Sequence, residues 1–386
     1  MLLPALAILA AYLVGSIPFG FLIARRHGVD IRAAGSGNIG ATNVLRVLGR
    51  KLGIVVFALD FLKGALPVVL ARLIDSSEWL PVAAGLAALL GHVFPIWLGF
   101  RGGKAVATGA GVVTVLLPLA TIGALLVFVA CVSALRYVAL ASTLAAAALV
   151  ALHLLLVREP FAEGQRIKTV FLFAAFLLVL LRHRENIVRI WNGTEHQFEE
   201  TLLLGAVNRV IHVLALALWF GGGLFFTFVV AVTIFAHFEK LGLTPADERP
   251  EWLPLPASFD KPAGTRLAGD TVAPIFPPYF AMQGICGILA LITAVGFTRA
   301  VPFRRIHSWR FWLVAVALLT LVIAWPLNQH IAHLRILRNE GDAVAKAQFG
   351  AWHAASLLLN FATLAMVTAA MALSPWLPQI SSEKAK

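Results

Sequence analysis

The feature that most constrains this chain is a succession of apolar runs, each about as long as a membrane-spanning helix. A helix needs roughly 20 predominantly apolar residues to cross the hydrocarbon core of a bilayer. Charged residues make up only 13% of the sequence and hydrophobic residues 60%, whereas a soluble domain carries about 25% charged residues. Too few polar side chains remain to cover a water-facing surface, so the composition predicts an all-α integral membrane protein.

Six apolar runs precede residue 200, and the fourth, 105–134, carries Pro118 near its middle. Proline removes a backbone donor and clashes with the preceding turn, so we expect two short helices there, which either span or re-enter the membrane. The predicted seven-helix N-terminal bundle comprises 2–24, 52–73, 80–99, 105–117, 119–134, 137–157 and 168–181.

Four further runs predict a C-terminal transmembrane bundle. The segment 239–270 is polar and proline-rich and is expected to be an external loop, and the polar stretch 196–202 separates the two bundles. We therefore predict domains 1–198 and 199–386. The four runs are 203–236, 273–297, 309–329 and 350–373.

The distribution of charge indicates a membrane orientation. The net charge of +12 lies mostly in short segments between apolar runs, which is typical of cytoplasmic loops and argues against nucleic-acid binding. Segment 25–51 holds six basic residues and one acid and has no basic residue before it, so we expect an uncleaved first span with the N-terminus outside. The split at Pro118 also places Arg136 inside. Two cysteines in apolar runs, without a CxxC pair, predict neither a metal site nor a disulfide framework.

The first predicted cytoplasmic loop is rich in glycine and short polar residues. Its glycines can bring the backbone close to a ligand, successive N–H groups can form an anion-binding nest, and a following arginine adds a bidentate phosphate donor. A flexible linker, with Thr42 and Asn43 capping the next helix, is the alternative. The candidate ligands are Gly35, Ser36, Gly37, Asn38, Gly40, Thr42, Asn43 and Arg46.

A second glycine-rich element follows the stretch GHVFP at 91–95 and reads RGGKAVAT at 101–108. Its glycines precede a lysine at a predicted helix start, where the helix N-terminus attracts anions. The spacing is not that of a Walker loop. Anchoring at the cytoplasmic face would explain the charges but not the glycines. The candidates are His92, Gly102, Gly103, Lys104 and Thr108.

The third element reads RHRENIVR at 182–189 and continues to NGTE at 192–195. His183, Asn186 and Arg189 are three residues apart and therefore share one helix face. A basic juxtamembrane helix bound to anionic lipid is the alternative, and it accounts for the arginines but not for Asn186 or Glu195.

Two apolar runs contain isolated polar residues. Asp60 and Lys63 lie one turn apart within the second run, and charges at membrane depth are costly unless they pair or function. Structural support and substrate contact both stay open for this pair. Ser142 stands alone in its run, and such a serine usually bonds its own backbone.

If the positive-inside assignment holds, the three basic elements converge at the cytoplasmic face. Several cations with very few acids predict a site for more than one phosphate. A phosphorylated substrate would come from the cytosol and an acyl chain from the bilayer.

Together these motifs resemble the PlsY family of bacterial acyl-phosphate-dependent glycerol-3-phosphate acyltransferases, over residues 1–198. The resemblance implies a seven-helix fold with a cytoplasmic active site in the bacterial inner membrane. It also implies transfer of a fatty acyl group from acyl phosphate to the sn-1 hydroxyl of glycerol 3-phosphate, giving lysophosphatidate and phosphate. The matching stretches are GSGNIGATN (35–43) with Arg46, LDFLKG (59–64), GHVFP (91–95), GGKAVAT (102–108), RYVALAS (136–142) and RHRENIVRIWNGTE (182–195).

The resemblance also assigns roles by motif position. The catalytic residues it implies are Ser36, Arg46, Lys104, His183 and Glu195. The substrate and phosphate ligands expected are Gly35, Gly37, Asn38, Gly40, Thr42, Asn43, Lys63, His92, Gly102, Gly103, Thr108, Ser142, Asn186 and Arg189. No metal or other cofactor is expected.

Two positions depart from the family pattern. Ala105 stands where the family usually has glycine, and Ala139 where it often has serine. If position 105 requires a positive φ, the methyl group costs about 1 kcal/mol or more, which would weaken glycerol-3-phosphate binding or report a reshaped pocket.

The expected chemistry leaves the general base open. Phosphate is a good leaving group, so cations and N–H donors aimed at developing charge would do most of the work. His183, Glu195 and the acyl phosphate's own oxygens are the candidate bases, and we favour the substrate or His183. Ser36 is interpreted as a phosphate ligand rather than a covalent nucleophile.

Residues 203–375 resemble a four-helix transmembrane domain of unknown function. The resemblance rests on NRVIH at 208–212, WFGGG at 219–223, and Trp352-His353 before Asn360. Its histidines could bind haem or copper or could instead lie at helix ends and the membrane interface. These histidines are His212, His330, His333 and His353.

Two rivals to the enzyme hypothesis remain. A transporter would suit the many spans and the buried charges, but no paired repeats with interrupted helices are visible. A catalytically impaired acyltransferase with an interaction role is the other.

Overall fold

The computed structural model describes residues 2–157, 159–198, 202–250, 253–298 and 304–378. Within these ranges every regular element is a helix, and ten helices are long and apolar enough to cross a membrane. A helix satisfies its own backbone polar groups, which hydrocarbon cannot do. The prediction of an all-α integral membrane protein is confirmed.

The described residues form two compact units. The first comprises residues 2–131 and 137–198, and the second comprises 132–136 and the described residues from 202 onward.

The first unit contains all seven predicted helices, six of spanning length and the shorter apolar helix Val106–Leu116. It adds a short helix, Ala41–Leu48, within the loop that follows the first apolar run. Its α-helices are α1 (Leu2–Gly15), α2 (Phe19–Arg26), α3 (Ala41–Leu48), α4 (Arg50–Ile74), α5 (Trp79–Val93), α6 (Val106–Leu116), α7 (Pro118–Leu135, whose last residues belong to the second unit), α8 (Val138–Leu156) and α9 (Glu163–Trp191).

The first apolar run is two helices rather than the single one expected. Pro18 lacks a backbone N–H, and the chain unwinds between α1 and α2. The Ser16 hydroxyl donates to Tyr12 O at 2.8 Å, and Lys63 Nζ donates to the carbonyl oxygen Ile17 O at 2.7 Å. A side chain from α4 thus satisfies backbone that the break leaves unpaired.

The split at Pro118 is confirmed, since α6 ends at Leu116 and α7 begins at Pro118. Proline is well suited to the first position of a helix, where its missing N–H would have no partner in any case.

Glycines let α4 and α6 cross at close range. A Cβ atom on Gly64 would lie 2.1 Å from Thr108 O, and one on Gly111 would lie 2.0 Å from Phe61 O. Small residues permit such backbone contact, which drives helix association in lipid. This crossing fixes the start of α6, where the second glycine-rich element ends.

The second unit is a four-span bundle. The loop predicted at 239–270 is shorter than expected, because α11 continues to Leu243 and α12 already begins at Lys261. Asp260 caps α12 by accepting from Ala263 N at 2.8 Å. Because only one face of α12 is buried, its sequence does not form a continuous apolar run and did not predict a helix. Its α-helices are α10 (Leu202–Leu224), α11 (Ala231–Leu243), α12 (Lys261–Val272), α13 (Phe276–Phe297), α14 (Arg304–Asn339) and α15 (Ala343–Ala372).

Candidate functional site

Asn43 organises the loop between α2 and α3. The side chain is 2% exposed, and its Nδ2 donates to Ile31 O at 3.2 Å, to Ala34 O at 3.0 Å and to Asn38 O at 2.8 Å. Its Oδ1 accepts from Ser36 N at 2.9 Å. Asn43 therefore shapes the loop from beneath rather than offering its amide to a ligand.

Ser36 stands at the turn of this loop between two glycines with left-handed backbone. Gly35 has φ 59° and Gly37 has φ 69°, conformations that are readily available only to glycine. The Ser36 side chain is exposed, and no hydrogen bond to its hydroxyl occurs among the described residues. The turn thus presents a hydroxyl toward solvent.

Arg46 and Thr42 lie on α3, which begins after Gly40. Gly40 is extended there and its N–H donates to Asn38 Oδ1 at 2.9 Å. Arg46 is exposed and makes no ion pair within the described chain. Its guanidinium is available to a phosphate from solution.

The glycines of the second element serve packing as much as ligand approach. Gly102 N donates to Val93 O and Gly103 N to His92 O, both at 3.1 Å. A Cβ on Gly103 would lie 2.1 Å from His92 Nε2, and one on Gly102 would lie 2.2 Å from His92 O. These two N–H groups are therefore already satisfied within the turn, and the role of Gly102 and Gly103 as phosphate ligands stays a prediction.

His92 is a support beneath that loop. It is 4% exposed, its Nδ1 lies 3.1 Å from Thr108 Oγ1, and Asp60 Oδ1 is 3.9 Å away. Asp60 itself pairs with Lys63 at 2.7 Å. Of the two roles left open for Asp60 and Lys63, these contacts favour the structural one, and they leave the polar atoms of His92 and Thr108 directed at protein.

Lys104 connects the second element to α9. Its Nζ donates to Asn186 Oδ1, Asn186 Nδ2 donates to Glu195 Oε1 at 2.8 Å, and Arg189 Nε donates to Glu195 Oε2 at 2.7 Å. Partial burial lowers the pKa of Lys104 to about 8, against an opposing contribution from the Glu195 carboxylate. Two members of the predicted face, Asn186 and Arg189, therefore belong to one hydrogen-bonded network that Glu195 closes.

His183 is placed as a proton acceptor. It is 3% exposed, and its Nδ1 lies 2.8 Å from Val179 O. A carbonyl can only accept, so Nδ1 carries the proton and the neutral ring keeps a lone pair on Nε2.

Ser142 on α8 donates its hydroxyl proton to Val138 O at 2.8 Å. This is the local bond expected of a lone serine in an apolar helix. The lone pairs of the hydroxyl remain, and its role as a ligand stays a prediction.

Three arginines that the sequence did not single out as ligands line a cavity of about 560 Å³. Arg182 also donates to Gly103 O at 3.2 Å and to Gly102 O at 3.0 Å, which holds the second element against α9. The sequence shows these three arginines within its basic segments, but there they indicate only positive charge and not a role as ligands. The cavity is lined by Asp30, Arg32, Ala33, Gly37, Ile39, Leu98, Phe100, Arg101, Gly102 and Arg182.

Arg32 is held in this wall by Asp30. Their ion pair measures 2.9 Å, and it lowers the pKa of Asp30. Because Asp30 stays ionised, it neutralises one of the three guanidinium groups and leaves a net positive wall.

Ala105 has φ 59° and ψ 15° at the start of α6. Position 105, where the family usually has glycine, therefore does have a positive φ. The residue is 1% exposed, and its methyl group is enclosed in a left-handed conformation that disfavours it.

The histidines of the second unit fit the interfacial alternative at two positions. His330 packs edge-on against Trp352 at 5.3 Å, and His353 stacks on Phe349 at 5.6 Å.

Comparison with known proteins divides the chain in the same way as the motifs. Residues 5–193 match the family described as glycerol-3-phosphate acyltransferase, and residues 214–336 match a domain of unknown function (DUF4149). The predicted fusion of a PlsY-type half to a transmembrane domain of unknown function is confirmed.

Individual relatives match the N-terminal half over almost their entire length. The glycerol-3-phosphate acyltransferase of Geobacter sulfurreducens is 48% identical over 189 residues, covering 49% of this chain and 94% of the relative. That of Myxococcus xanthus is 50% identical over 193 residues, covering 50% and 97%.

A crystal structure of PlsY, an integral membrane glycerol 3-phosphate acyltransferase, in its glycerol 3-phosphate form is 41% identical, with a TM-score of 0.47 over 51% of this chain and 96% of that chain. Since this chain covers 94% of a relative that is 48% identical to it, it belongs to the glycerol-3-phosphate acyltransferase family.

Proposed function

We propose that this protein transfers a fatty acyl group from acyl phosphate to the sn-1 hydroxyl of glycerol 3-phosphate, giving lysophosphatidate and inorganic phosphate. The observation that carries the proposal is the convergence of the family's motifs on one cationic cavity. Arg32, Arg101 and Arg182 line it, and Gly37 of the first loop contributes to the same wall.

Phosphate binding is the first requirement of this reaction. The lining arginines, exposed Arg46 and the ammonium of Lys104 supply cations, and the Ser36 hydroxyl supplies a neutral donor. One guanidinium group can donate two parallel N–H···O hydrogen bonds to a phosphate, with a fixed geometry. Two phosphorylated substrates demand several such donors, which this site provides.

The resemblance to the acyl-phosphate-dependent family supports acyl phosphate as the donor, and the reaction can be written with phosphate as the leaving group. The sn-1 hydroxyl oxygen attacks the acyl carbonyl carbon, a C–O ester bond forms, and the bond to phosphate breaks. Phosphate departs with the bonding electrons, and the hydroxyl proton passes to a base. Because phosphate leaves readily, charge stabilisation by fixed donors is the main task of the protein.

The lone pair on His183 Nε2 is one acceptor for that proton, and the departing phosphate is the other. Glu195 is a weaker candidate, since both its oxygens already accept from Asn186 and Arg189. Its contacts fit a positioning role for Asn186 and, through it, for Lys104.

The basic loops fit a cytoplasmic site in a bacterial inner membrane with the N-terminus outside. Glycerol 3-phosphate would enter from the cytosol and the acyl phosphate from the lipid phase. Residues 1–198 would carry the reaction, and residues 199–386 would form a separate domain.

Phosphate release from palmitoyl phosphate by the purified protein, with and without glycerol 3-phosphate, tests this proposal. Release should depend on glycerol 3-phosphate and fall about 10²-fold or more in Arg46→Ala, as expected for loss of one charged donor. Exposed Arg72 near the end of α4 offers the control Arg72→Ala, which should retain activity. If the folded wild-type protein releases no phosphate, the proposed acyltransferase activity is refuted.

A catalytically impaired acyltransferase is the second candidate, and the positive φ of Ala105 is the observation that favours it. The residue immediately follows Lys104, so strain there acts directly on the phosphate site. A large gain of activity in Ala105→Gly would support the impaired acyltransferase, whereas unchanged activity would show that the active enzyme accommodates Ala105.

A further inference from the structure

The second unit contains a fully buried arginine with an unsatisfied donor. Arg310 on α14 is 0% exposed. One terminal nitrogen lies 2.8 Å from His307 Nδ1, and the other donates to Leu373 O. Its Nε is buried without a hydrogen-bond partner. A buried cation is costly unless an anion accompanies it.

No counter-ion for Arg310 exists among the described residues, whose carboxylates all lie beyond ion-pair distance of it. Instead, two histidines share its surroundings. The Phe297 ring lies 5.9 Å from the guanidinium carbon of Arg310, 5.3 Å from the His212 ring and 6.0 Å from the His307 ring. Three basic side chains from α10 and α14 therefore surround one aromatic ring on α13.

His212 contributes a second unsatisfied atom. It is 0% exposed, and its Nδ1 lies 3.2 Å from the carbonyl Ala290 O. Nδ1 also lies 2.9 Å from the hydroxyl of Thr293, which itself donates to Leu289 O. Nδ1 is therefore the protonated nitrogen, and the buried Nε2 keeps a lone pair without a partner.

Exposed aromatic and basic side chains on α14 support a position of this cluster near the membrane–water interface. Trp309 and Trp312 flank Arg310 on α14 and are 69% and 62% exposed, and exposed tryptophans favour the membrane–water interface. Arg304 and Arg305 at the start of the same helix are also exposed. Cations at this level attract anionic lipid.

We propose that the second unit binds the phosphate group of an anionic lipid at Arg310. A phosphate oxygen would accept the unpaired Nε–H, and a monoprotonated phosphate would donate to His212 Nε2. A monoprotonated phosphate can both accept from Arg310 Nε–H and donate to His212 Nε2, whereas a carboxylate can only accept. The inference concerns the domain of unknown function and does not depend on acyl transfer.

Native mass spectrometry of delipidated full-length protein tests the proposal, with dioleoyl phosphatidic acid as the probe. Arg310→Gln should weaken retention of one phosphatidic acid per chain by about tenfold or more, since a charge-assisted hydrogen bond is lost. Arg335→Gln is the matched control, because Arg335 lies on the same helix and bonds Gly269 O, and it should retain the lipid. Dioleoylglycerol, which lacks the phosphate, should not be retained.

Equal retention of phosphatidic acid by wild type and Arg310→Gln would overturn the proposal, as would equal retention of dioleoylglycerol. If Arg310→Gln does not fold, Arg310→Lys keeps the buried charge without the planar fork and should still bind more weakly than wild type; unchanged binding in this variant contradicts the site. Displacement of phosphatidic acid by an equal concentration of inorganic phosphate would overturn the lipid assignment, because the free anion would then compete as well as the lipid for the site. Failure of inorganic phosphate to displace it supports the lipid.

Discussion

Ala105 carries a methyl group on backbone that glycine adopts without penalty, with φ at 59°. Replacing it by glycine should stabilise the protein by about 1 kcal/mol, because the left-handed conformation disfavours any Cβ. Thermal unfolding of the purified protein measures this. Ala107→Gly on α6 is the matched control and should destabilise by roughly 0.5–1 kcal/mol, since glycine weakens a helix interior. Equal effects of the two substitutions would show that position 105 is not strained.

The lowered pKa of Lys104 predicts a pH dependence. Because its pKa falls from 10.5 to about 8, the ammonium is present at neutral pH and is lost as the pH rises through about 8. The ratio kcat/KM for glycerol 3-phosphate should therefore decline above pH 8, since this ratio reports groups of the free enzyme.

Lys104→Arg provides the check on that assignment. A guanidinium stays protonated throughout this range, so the alkaline decline should move beyond pH 10 even if the maximal rate falls. An unchanged alkaline limb in Lys104→Arg would assign the titration to another group.

At the scale of elements, the turn between α5 and α6 depends on the fit of Gly103 against His92. Gly103→Ala should cost roughly 1–3 kcal/mol of stability and most of the activity, because its Cβ would lie 2.1 Å from His92 Nε2. Thermal unfolding and phosphate release measure both effects. Gly164→Ala is a control, since no atom lies within 4 Å of a Cβ built there.

Coupling between the two residues gives a sharper readout. In a double-mutant cycle, His92→Ala should recover part of the stability lost in Gly103→Ala, because the added methyl would then occupy vacated space. Strictly additive effects would mean that the turn fails for another reason.

At the scale of the whole molecule, the relatives indicate that the first half suffices for the reaction. They match residues of the N-terminal half over 94% and 97% of their own length. A protein comprising residues 1–198 should therefore fold in membranes and release phosphate in a glycerol-3-phosphate-dependent manner, with kcat within about threefold of the full chain. An inactive but folded fragment would show that the second domain contributes to catalysis.

Particular residues show how far the sequence reaches. Pro118 predicted a helix boundary correctly, because the missing donor of proline acts locally. Pro18 had the same effect on the first run, but the hydropathy of residues 2–24 concealed it. The length of the polar loop at 239–270 was overestimated because α12 has a polar face and a side-chain cap, features that apolar runs do not report.

For the candidate site, sequence reasoning identified the three elements and most of their polar residues. It listed Gly102 and Gly103 as candidate phosphate ligands without detecting that both pack closely on His92. It counted Arg182 only as part of a basic cytoplasmic cluster, whereas its guanidinium donates to the carbonyl groups of that same turn. Both differences depend on which residues meet across helices, and spacing along one helix does not contain that information.

The sequence by itself determined the membrane class, the apolar spans, the family and the cationic loops, because hydropathy, proline and motif spacing are properties of neighbouring residues. Only the tertiary structure decided which donors remain available. Backbone hydrogen bonds within the α5–α6 turn satisfy the N–H groups of Gly102 and Gly103, whereas Ser36 and Arg46 stay exposed. Arg310 and His212 are fully buried, with no acid paired to Arg310 in the part of the chain that the structure describes. Burial and hydrogen bonding are set by residues far apart in the chain, and those contacts exist only once the helices pack.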